Sequence, residues 1–580
     1  MGHDFFFCDL CSSWALGLSR GEAVARCPAD LGTVGCLHCG HGDAGAARVK
    51  TVLPDQKSLR QSMAWVHTWL GLLAGWILFA MFLTGTASYF RPEITTWMQP
   101  EIHSGTVSQG HAAEAAVRYL RSTTPDDLQW YIYLPDDRTR VTRVFAQSRP
   151  DPDPKAPPPP RRPEFKLDPA TGRPVAARDT RGGEHFYRFH FQLQLPHPWG
   201  RWLAGLCAMF MLAAIISGVI THKRIFIDFF TLRWGKGQRS WLDAHNVSAV
   251  LALPYHAMIT YTGLITLVMM YMPWPIAANY ANPADFGVEA FGRELEDAAT
   301  GRAAPLVSVG SLIDKASREW TGGAVSAVIV RNPGDAASTV TVQRSSADGL
   351  NARSGSITYA GATGQKISAS PPVGPAIGTA GVMLGLHEGH FAGPLLRWIC
   401  FLLGLTGTAM VGTGLILWTA KRTKKDASPF LGMRIVQRLN VGAIACLPAG
   451  MAAFLLANRL IPVEVAGRAA LEVSAMYWVW FGMAALLCFR PIDRAWPEGL
   501  AISSMAFLAI PWVNMATTDR GLFVSLAAGD WLFVAFDLAV IAIGAVLAFA
   551  AWKAAARRKT TPGVVRTRRA QIGRKVADAT

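Results

Sequence analysis

Long apolar runs without charged side chains constrain this chain more than any other feature of its sequence. Residues 62–90, for example, contain no Asp, Glu, Lys or Arg. A helix needs roughly 20 largely apolar residues to cross a lipid bilayer. Eight stretches meet or approach that length, and we predict that each one spans a membrane. They are residues 62–90, 202–221, the first part of 244–284, 398–420, 439–458, 473–489, 500–518 and 531–552.

Composition and charge agree with a membrane protein. Hydrophobic residues make up 51% of the chain and charged residues 17%, whereas a soluble globular chain has roughly 25% charged residues. This balance excludes a disordered chain and a simple cytosolic enzyme. The net charge of +16 would suggest nucleic-acid binding in a soluble protein. Here the basic residues lie beside the apolar runs, so we expect contact with membrane lipid and no nucleic-acid partner.

The positions of the basic residues predict the orientation in the membrane. Lys and Arg cluster before the first apolar run, after the second, fourth and sixth, and in the tail. If eight spans alternate, all these clusters lie on one side, and positive residues favour the cytoplasm. We therefore expect a bacterial inner-membrane protein with both termini cytoplasmic. The long segments 91–200 and 273–392 would then be periplasmic.

The spans and loops divide the chain into five segments. We expect a disordered cytoplasmic extension over 1–55, a first repeat over 56–222, a second repeat over 223–420, four additional spans over 421–552 and a basic cytoplasmic tail over 553–580. The extension contains five cysteines, some of which could alternatively form a zinc ribbon. These are Cys8, Cys11, Cys27, Cys36 and Cys39.

An internal duplication relates the first four spans. The matching residues are His67 with His245, Gly85 with Gly263, Arg201 with Arg397, and Gly218 with Gly414. The His-to-Gly spacing is 18 residues and the Arg-to-Gly spacing is 17 residues in both copies, and each glycine follows a Ser or a Thr. Spans one and two with their loop therefore correspond to spans three and four with theirs.

Each long loop is predicted to form a small α+β module, in which a helix precedes strands of alternating apolar residues. In the first loop the helix covers 110–121, and the strands cover 128–134 and 140–145. In the second loop the helix covers 308–319, and the strands cover 324–330, 339–343 and 356–359. The predicted fold is an α-helical polytopic membrane protein with about eight transmembrane helices and two small α+β modules.

Four stretches of this sequence resemble the PepSY-associated transmembrane proteins, which include iron-regulated inner-membrane proteins and ferric-siderophore reductases. The stretches read WVHTWLGLLAGWILFAMFLTGTASYFRPE, PHPWGRWLAGL…ISGVITHKRIF, WLDAHNVSAVLALPYHAMITYTGL and LHEGHFAGPLLRWICFLLGLTGTAMVGTGLILWTAKR. The resemblance covers about residues 55–425. It implies PepSY-like periplasmic modules and, in the reductases, membrane haem bound by histidines. The last four spans depart from the four-span core of that family.

Histidines inside the spans are functional candidates, because ionisable residues are costly in a membrane. His245 and His256 both lie on the third span. An ideal helix turns about 100° per residue, so we expect both rings on one face, about 16 Å apart along the axis. Two haem b groups stacked in the bilayer would need ligands at such a separation. Bis-imidazole ligation suits electron transfer, since it leaves no open site on the iron.

Depth divides the candidate ligands into two groups. On the cytoplasmic side, a haem could use any two of His67, His222 and His245. On the periplasmic side, His256 could pair with one of His197, His387 and His390. Arg201 and Arg397 could bind haem propionates or, equally well, lipid headgroups. His190 is placed further out, and His103, His111 and His185 are interpreted as hydrogen-bonding or interface residues.

From these expectations we predict a reductase that carries electrons across the membrane to a periplasmic ferric siderophore. Its electrons would come from quinol or from a separate donor protein, because no GxGxxG motif follows a predicted strand and no P-loop motif is present. A non-enzymatic scaffold is the alternative, with modules that bind a periplasmic partner and histidines that serve packing or metal passage. A third interpretation keeps the haem and makes the chain an electron donor to another redox protein.

Overall fold

The computed structural model describes residues 58–105, 107–151, 162–222, 231–291, 298–370, 374–423 and 429–559. The predicted extension over 1–55, with its five cysteines, lies outside the described residues. The same holds for the tail from residue 560 onward.

The described residues form mainly helices. In chain order they are α1 (Leu59–Ser88), α2 (Arg91–Trp97), α3 (Gln109–Thr123), α4 (Glu184–Gln192), α5 (Trp199–Thr221), α6 (Gln238–Leu251), α7 (Leu253–Thr266), α8 (Val268–Tyr271), α9 (Trp274–Asn279), α10 (Pro283–Phe291), α11 (Val309–Glu319), α12 (Pro375–Glu388), α13 (Pro394–Thr423), α14 (Leu431–Asn440), α15 (Leu447–Leu460), α16 (Arg468–Cys488), α17 (Ile492–Thr517), α18 (Leu522–Ala528) and α19 (Trp531–Lys559). A π-helical segment, Val441–Cys446, connects α14 to α15.

Seven helical segments in the described part of the chain are long and apolar enough to cross a membrane. They are α1, α5, α13, the continuous segment from α14 to α15, α16, α17 and α19. The bent pair of α6 and α7 brings the number to eight if it is counted as one broken span. The prediction of about eight transmembrane helices is therefore confirmed.

The third span is bent, which corrects the expectation of one straight helix. The axes of α6 and α7 differ by 68° across the break at Ala252, which has φ −119° and ψ 23°. Pro254 follows at the second position of α7. Its ring nitrogen has no hydrogen to donate to the preceding turn, and the ring crowds the carbonyl four residues earlier. The bend removes the basis for placing His245 and His256 on one helical face.

The two long loops build one sheet of seven strands, not two separate sheets. The strands are β1 (Gln129–Tyr133), β2 (Thr142–Gln147), β3 (Phe165–Leu167), β4 (Val325–Arg331), β5 (Thr339–Arg344), β6 (Ser356–Ala360) and β7 (Lys366–Ala369). Their order is β3-β2-β1-β4-β5-β6-β7, and every neighbouring pair is antiparallel. β1 pairs with β4, with Tyr131 opposite Ile329. The predicted strands are confirmed, whereas β3 and β7 were not predicted.

The helices α3 and α11 cover one face of this sheet. Both begin after a serine, Ser108 or Ser308, whose hydroxyl accepts a hydrogen bond from the backbone three residues later. This is the usual capping interaction of a helix N-terminus. The two helices meet at Gly110 and Gly310, where a Cβ on Gly310 would lie 3.1 Å from the Gly110 carbonyl oxygen. The duplicated modules thus share one hydrophobic core and lie at the same end of the membrane helices.

The additional C-terminal helices pack on one another and on the first repeat. α17 lies along α19, and α15 contacts both α16 and α17. A shared apolar core joins them to α1, α2 and α4. It includes Phe79, Trp97, Phe186, Phe189, Phe454, Met476 and Phe533. The last four spans are therefore built into the molecule through the helices next to the first loop.

Candidate functional site

Two pairs of histidines come together between the first four spans. The first pair is His67 on α1 and His245 on α6, with ring centroids 6.1 Å apart and ring planes inclined by 64°. The second pair is His190 on α4 and His387 on α12, with ring centroids 6.0 Å apart and ring planes inclined by 29°. Each pair takes one histidine from each repeat.

Every ring of the two pairs is held by a backbone carbonyl of a neighbouring helix. His67 Nδ1 donates to Ala214 at 2.8 Å, and His245 Nδ1 donates to Met410 at 2.8 Å. The second pair follows the same scheme. Its contacts are His190 Nδ1 to the carbonyl of Met81 at 2.8 Å and His387 Nδ1 to the carbonyl of Ile259 at 3.0 Å.

These contacts determine which ring nitrogen carries the proton. A carbonyl oxygen can only accept a hydrogen bond, so Nδ1 must be the protonated nitrogen of each neutral ring. Nε2 then keeps its lone pair. Histidines that bind metals usually donate their other ring N–H to a carbonyl or a carboxylate, which fixes tautomer and orientation. In all four rings, Nε2 is therefore the nitrogen with a lone pair to offer.

The repeated glycines explain how the rings reach these carbonyls. Each accepting carbonyl lies four residues before the glycine of a Ser–Gly or Thr–Gly pair. A Cβ on Gly85 would lie 2.5 Å from His190 Nδ1, and one on Gly263 would lie 2.7 Å from His387 Cε1. On Gly218 and Gly414 the Cβ would lie 3.1 Å from Cε1 of His67 and of His245, respectively. The missing side chains thus open the helix surface to the imidazoles.

The spacing of the rings fits two axial ligands on one metal ion. A metal–imidazole bond of about 2.0–2.1 Å, as found at zinc, plus the radius of each ring, gives ring centroids about 6 Å apart. Both pairs show this separation. All four rings also keep some accessible surface. Each pair therefore offers two imidazoles at the ring separation that two axial ligands of one iron would need.

The two pairs lie at different depths. His190 bonds to Met81 on α1, and Met81 lies about 21 Å further along that helix than His67. The hydrocarbon core of a bilayer is about 30 Å thick. The His190–His387 pair lies at the end that carries the sheet, and the His67–His245 pair lies toward the opposite end.

Burial keeps the rings of the second pair neutral. Both residues belong to helices outside the membrane-spanning segments. Burial lowers the pKa of His190. Burial, with a smaller contribution from the neighbouring His190, lowers the pKa of His387 to about 3. Metal ligation requires neutral imidazole, so both residues are in the correct protonation state at neutral pH.

His256 does not join another histidine, although it is fully buried. Its Nε2 lies 3.4 Å from the Leu403 carbonyl and 3.3 Å from the Thr406 hydroxyl. Its ring also packs edge-on against Phe82. The bend at Pro254 turns this part of the third span away from the line expected for a straight helix. His256 therefore contacts α13 and does not form a pair with His387, His390 or His197.

The remaining predicted histidines lie apart from the two pairs. His222 is the C-cap residue of α5. His197 is exposed. His390 Nδ1 lies 3.2 Å from both the Ser346 hydroxyl and the Glu388 carboxylate.

The two repeat arginines make different contacts. Arg201 Nε donates to the Gln192 side chain at 3.2 Å, and its guanidinium lies over the Phe191 ring. Arg397 donates to the Glu93 carboxylate at 3.3 Å and to the Ala392 carbonyl at 2.9 Å. Arg397 is thus engaged with protein groups, whereas propionate binding by either arginine stays a prediction.

Sequence reasoning missed His190 and used the repeat glycines only as spacing markers. The missed signal was a sequence spacing: His190 precedes Arg201 by nearly the same number of residues as His387 precedes Arg397. Each of these rings contacts a glycine in the first span of its own repeat, since His190 packs on Gly85 of α1 and His387 on Gly263 of α7.

Comparison with known proteins agrees with this architecture. Residues 64–421 match the family model described as the PepSY-associated TM region. A Pseudomonas aeruginosa protein named "Uncharacterized protein PA4219" is 27% identical over 372 residues, which cover 61% of this chain and 90% of that protein. The family match includes both histidine pairs, whereas α14 to α19 lie beyond it. Because it spans more than half of the sequence, the chain belongs to the PepSY-associated transmembrane family.

Proposed function

We propose that this protein carries two haem b groups and passes electrons across a bacterial inner membrane to a periplasmic ferric siderophore. His67 and His245 would bind one haem, and His190 and His387 would bind the other. Quinol or a separate donor protein would supply the electrons. The product, Fe(II), would be released from the chelate for uptake.

One observation carries this proposal: the two histidine pairs share the same construction. Each has ring centroids about 6 Å apart, as two axial ligands of one iron require. Each ring donates Nδ1–H to a carbonyl and leaves Nε2 for a metal. A packing role alone gives no reason for repeating this arrangement at two depths.

The chemistry assigned to the chain's own residues is limited. Haem with two imidazole ligands supplies reversible one-electron transfer, with no open position for oxygen or substrate. The carbonyls of Ala214, Met410, Met81 and Ile259 orient the imidazoles.

The overall reaction balances with quinol as the donor. One quinol loses two electrons and two protons and becomes quinone, and two ferric chelates each gain one electron. Siderophores bind iron through hard oxygen ligands, which hold Fe(II) less tightly than Fe(III). Reduction therefore favours release of the metal from the chelate.

The proposed orientation follows from charge. Basic residues at the ends of the spans, such as Arg60 in the first turn of α1 and Lys421 and Arg422 in the last turn of α13, favour the cytoplasm. The sheet lies at the opposite end and would be periplasmic. The His190–His387 pair would then be the one nearer to the ferric chelate.

The test is haem quantitation on the full chain, produced with haem available and purified in detergent. We expect a low-spin b-type spectrum with about two haems per chain. His67→Ala and His387→Ala should each leave one haem, and the double variant should leave none. His197→Ala is the matched control and should keep both, because His197 is exposed and outside the pairs.

Reoxidation separates the reductase from its alternatives. Ferric siderophore added to the dithionite-reduced protein should restore the oxidised spectrum, and the His387→Ala variant should be slow. Haem that no ferric chelate reoxidises would favour a donor to another redox protein. A wild-type protein without a Soret band would overturn the proposal and favour a scaffold whose modules bind a periplasmic partner.

A further inference from the structure

The short helix α4 lies between the second histidine pair and the C-terminal helices. His190 points to α1, where it bonds to Met81. Phe186 and Phe189 are buried in the core shared with the C-terminal helices. The Phe186 ring lies 5.4 Å from that of Phe454 on α15, and the Phe189 ring lies 6.2 Å from that of Trp480 on α16.

His185 is the polar centre of this contact. It is 1% exposed, and its Nε2 lies 3.2 Å from the sulfur of Met476 on α16, which is fully buried. Its ring centroid lies 4.9 Å from that of Phe454. Five residues separate His185 from His190, so the two side chains leave α4 about 140° apart. One face of α4 therefore carries the candidate ligand, and another is enclosed by α15 and α16.

The chain leading into α4 is fixed to the same helices by a buried polar network. Arg178 donates to the Asn458 carbonyl at 2.6 Å, and the Thr180 hydroxyl donates to the Glu472 carboxylate. Glu472 also forms an ion pair with Arg468, and both side chains are fully buried. Buried charges persist only when they are paired and hydrogen-bonded. This network therefore ties the entry to α4 to α15 and α16.

The equivalent helix of the second repeat has a different environment. α12, which carries His387, packs along α7. Its buried residues Gly381 and Gly385 lie against the loop that contains Leu350 and Asn351. α4 packs on α1 and α5 of its own repeat and, through His185, Phe186 and Phe189, also against α15 and α16, whereas α12 packs on its own repeat. The duplication alone does not account for this asymmetry.

We propose that α15 and α16 position the His190 ring by enclosing α4, with His185 and Met476 as the positioning residues. This inference rests on the proposed function, because it assigns a role toward the second haem. It also gives a purpose to helices that lie outside the family match. Neither residue would touch the haem. Their effect would be to restrict α4 to the one orientation in which His190 faces His387.

The test compares His185→Ala and Met476→Ala with the control Trp478→Ala. Trp478 lies on α16, like Met476, and its side chain is 78% exposed. Low-spin ferric haems with differently inclined imidazole planes give different EPR signals, and the pairs here are inclined by 29° and 64°. Each variant is examined by EPR, by redox titration and by hydrogen exchange of residues 184–192.

We expect both positioning variants to lose or shift the EPR signal and midpoint potential of the second haem only. The unchanged first haem shows that the protein has folded. Backbone exchange in 184–192 should become roughly tenfold faster or more, and Trp478→Ala should match the wild type.

A second haem unchanged in both variants would overturn the positioning role and leave the proposed function standing. Equal loss of both haems would also overturn it, since the effect would not be specific to His190. A wild-type protein with no haem would overturn the function and this role together.

Discussion

At the scale of single residues, the glycines of the Ser–Gly and Thr–Gly pairs decide whether a histidine can reach its carbonyl. An α-helix normally covers the carbonyl at position i with the side chain at i+4. Gly85 and Gly263 leave that position open to His190 and His387. Gly218 and Gly414 do the same for the other pair, with slightly more room.

A graded loss of haem is expected when these glycines are replaced by alanine. Gly85→Ala should remove the second haem, because the new Cβ would lie 2.5 Å from the His190 ring. Gly218→Ala should only weaken the first haem, because its Cβ would lie 3.1 Å from His67. Pyridine haemochrome analysis measures both.

Gly71→Ala is the control, since this residue lies on α1 with no atom within 4 Å of its Cβ position. Alanine favours helix formation over glycine by about 1 kcal/mol, so none of these changes should weaken the helix itself. Equal haem content in the Gly71 and Gly85 variants would contradict the proposal that Gly85 makes room for the His190 ring.

His185 makes a second prediction at this scale, which concerns pH. Burial, and to a lesser degree the neighbouring Arg181, lowers the pKa of His185 to about 4, whereas an unfolded histidine titrates near 6.5. Below about pH 6.5 the unfolded chain therefore binds a proton that the folded chain does not. Folding stability should fall as the pH drops from about 6.5 toward 4.

We expect this histidine to account for about 1–2 kcal/mol of the stability lost between pH 7 and pH 5. Thermal unfolding of the wild type and of His185→Leu at the two pH values measures it. The variant should show the smaller pH dependence. His111→Gln, at an exposed position of α3, is the control and should behave as the wild type. An identical pH dependence in His185→Leu would refute the assignment.

At the scale of elements, local sequence signals predicted most helices and strands but not how they bend or fold back. The apolar runs located the spans, and the alternating residues located the main strands. Pro254 was visible in the sequence, yet the third span was treated as straight, which misplaced His256. α4 was not anticipated as a helix that returns beside α1, so His190 was placed too far out.

The buried ion pair of α16 supports an element-scale prediction. Removing one partner of a buried pair leaves an uncompensated charge, which costs about 3–5 kcal/mol, whereas replacing both by apolar residues costs much less. Glu472→Leu should therefore destabilise the protein more than the double variant Arg468→Met/Glu472→Leu. Denaturant unfolding in detergent compares the two.

The exposed pair Arg490–Glu498 supplies the matched control. Arg490→Ala should destabilise the protein much less than Glu472→Leu, because water screens an exposed ion pair. If Glu472→Leu were as mild as Arg490→Ala, the Arg468–Glu472 pair would not be important for the stability of α16.

At the scale of the whole molecule, the two repeats form a single structure. Their loops share one sheet through β1 and β4, and each histidine pair takes one ring from each repeat. Neither repeat contains a complete pair. The two loops must therefore lie on the same side of the membrane and fold together.

A disulfide test addresses this arrangement. Tyr131 and Ile329 are directly opposite across β1 and β4, and neighbouring strands are close enough for a disulfide. Tyr131→Cys/Ile329→Cys should form an intrachain disulfide in intact cells, detected as protection from maleimide labelling after denaturation. Tyr131→Cys/Thr341→Cys is the control, because Thr341 lies one strand further, about 10 Å away. Full labelling of the first variant would contradict the joined sheet.

The sequence by itself determined the membrane class, the approximate spans and the duplication, because periodicity, hydropathy and spacing are local properties. It also named three of the four paired histidines, but only among seven candidate ligands. The pairing of His67 with His245 and of His190 with His387 was decided only by the tertiary structure. So were the joined sheet and the packing of the C-terminal helices on α4. Such contacts depend on which helix faces lie opposite one another. The bend at Pro254 and the open helix surfaces at Gly85 and Gly263 influence this choice, but they do so only when the spans pack together.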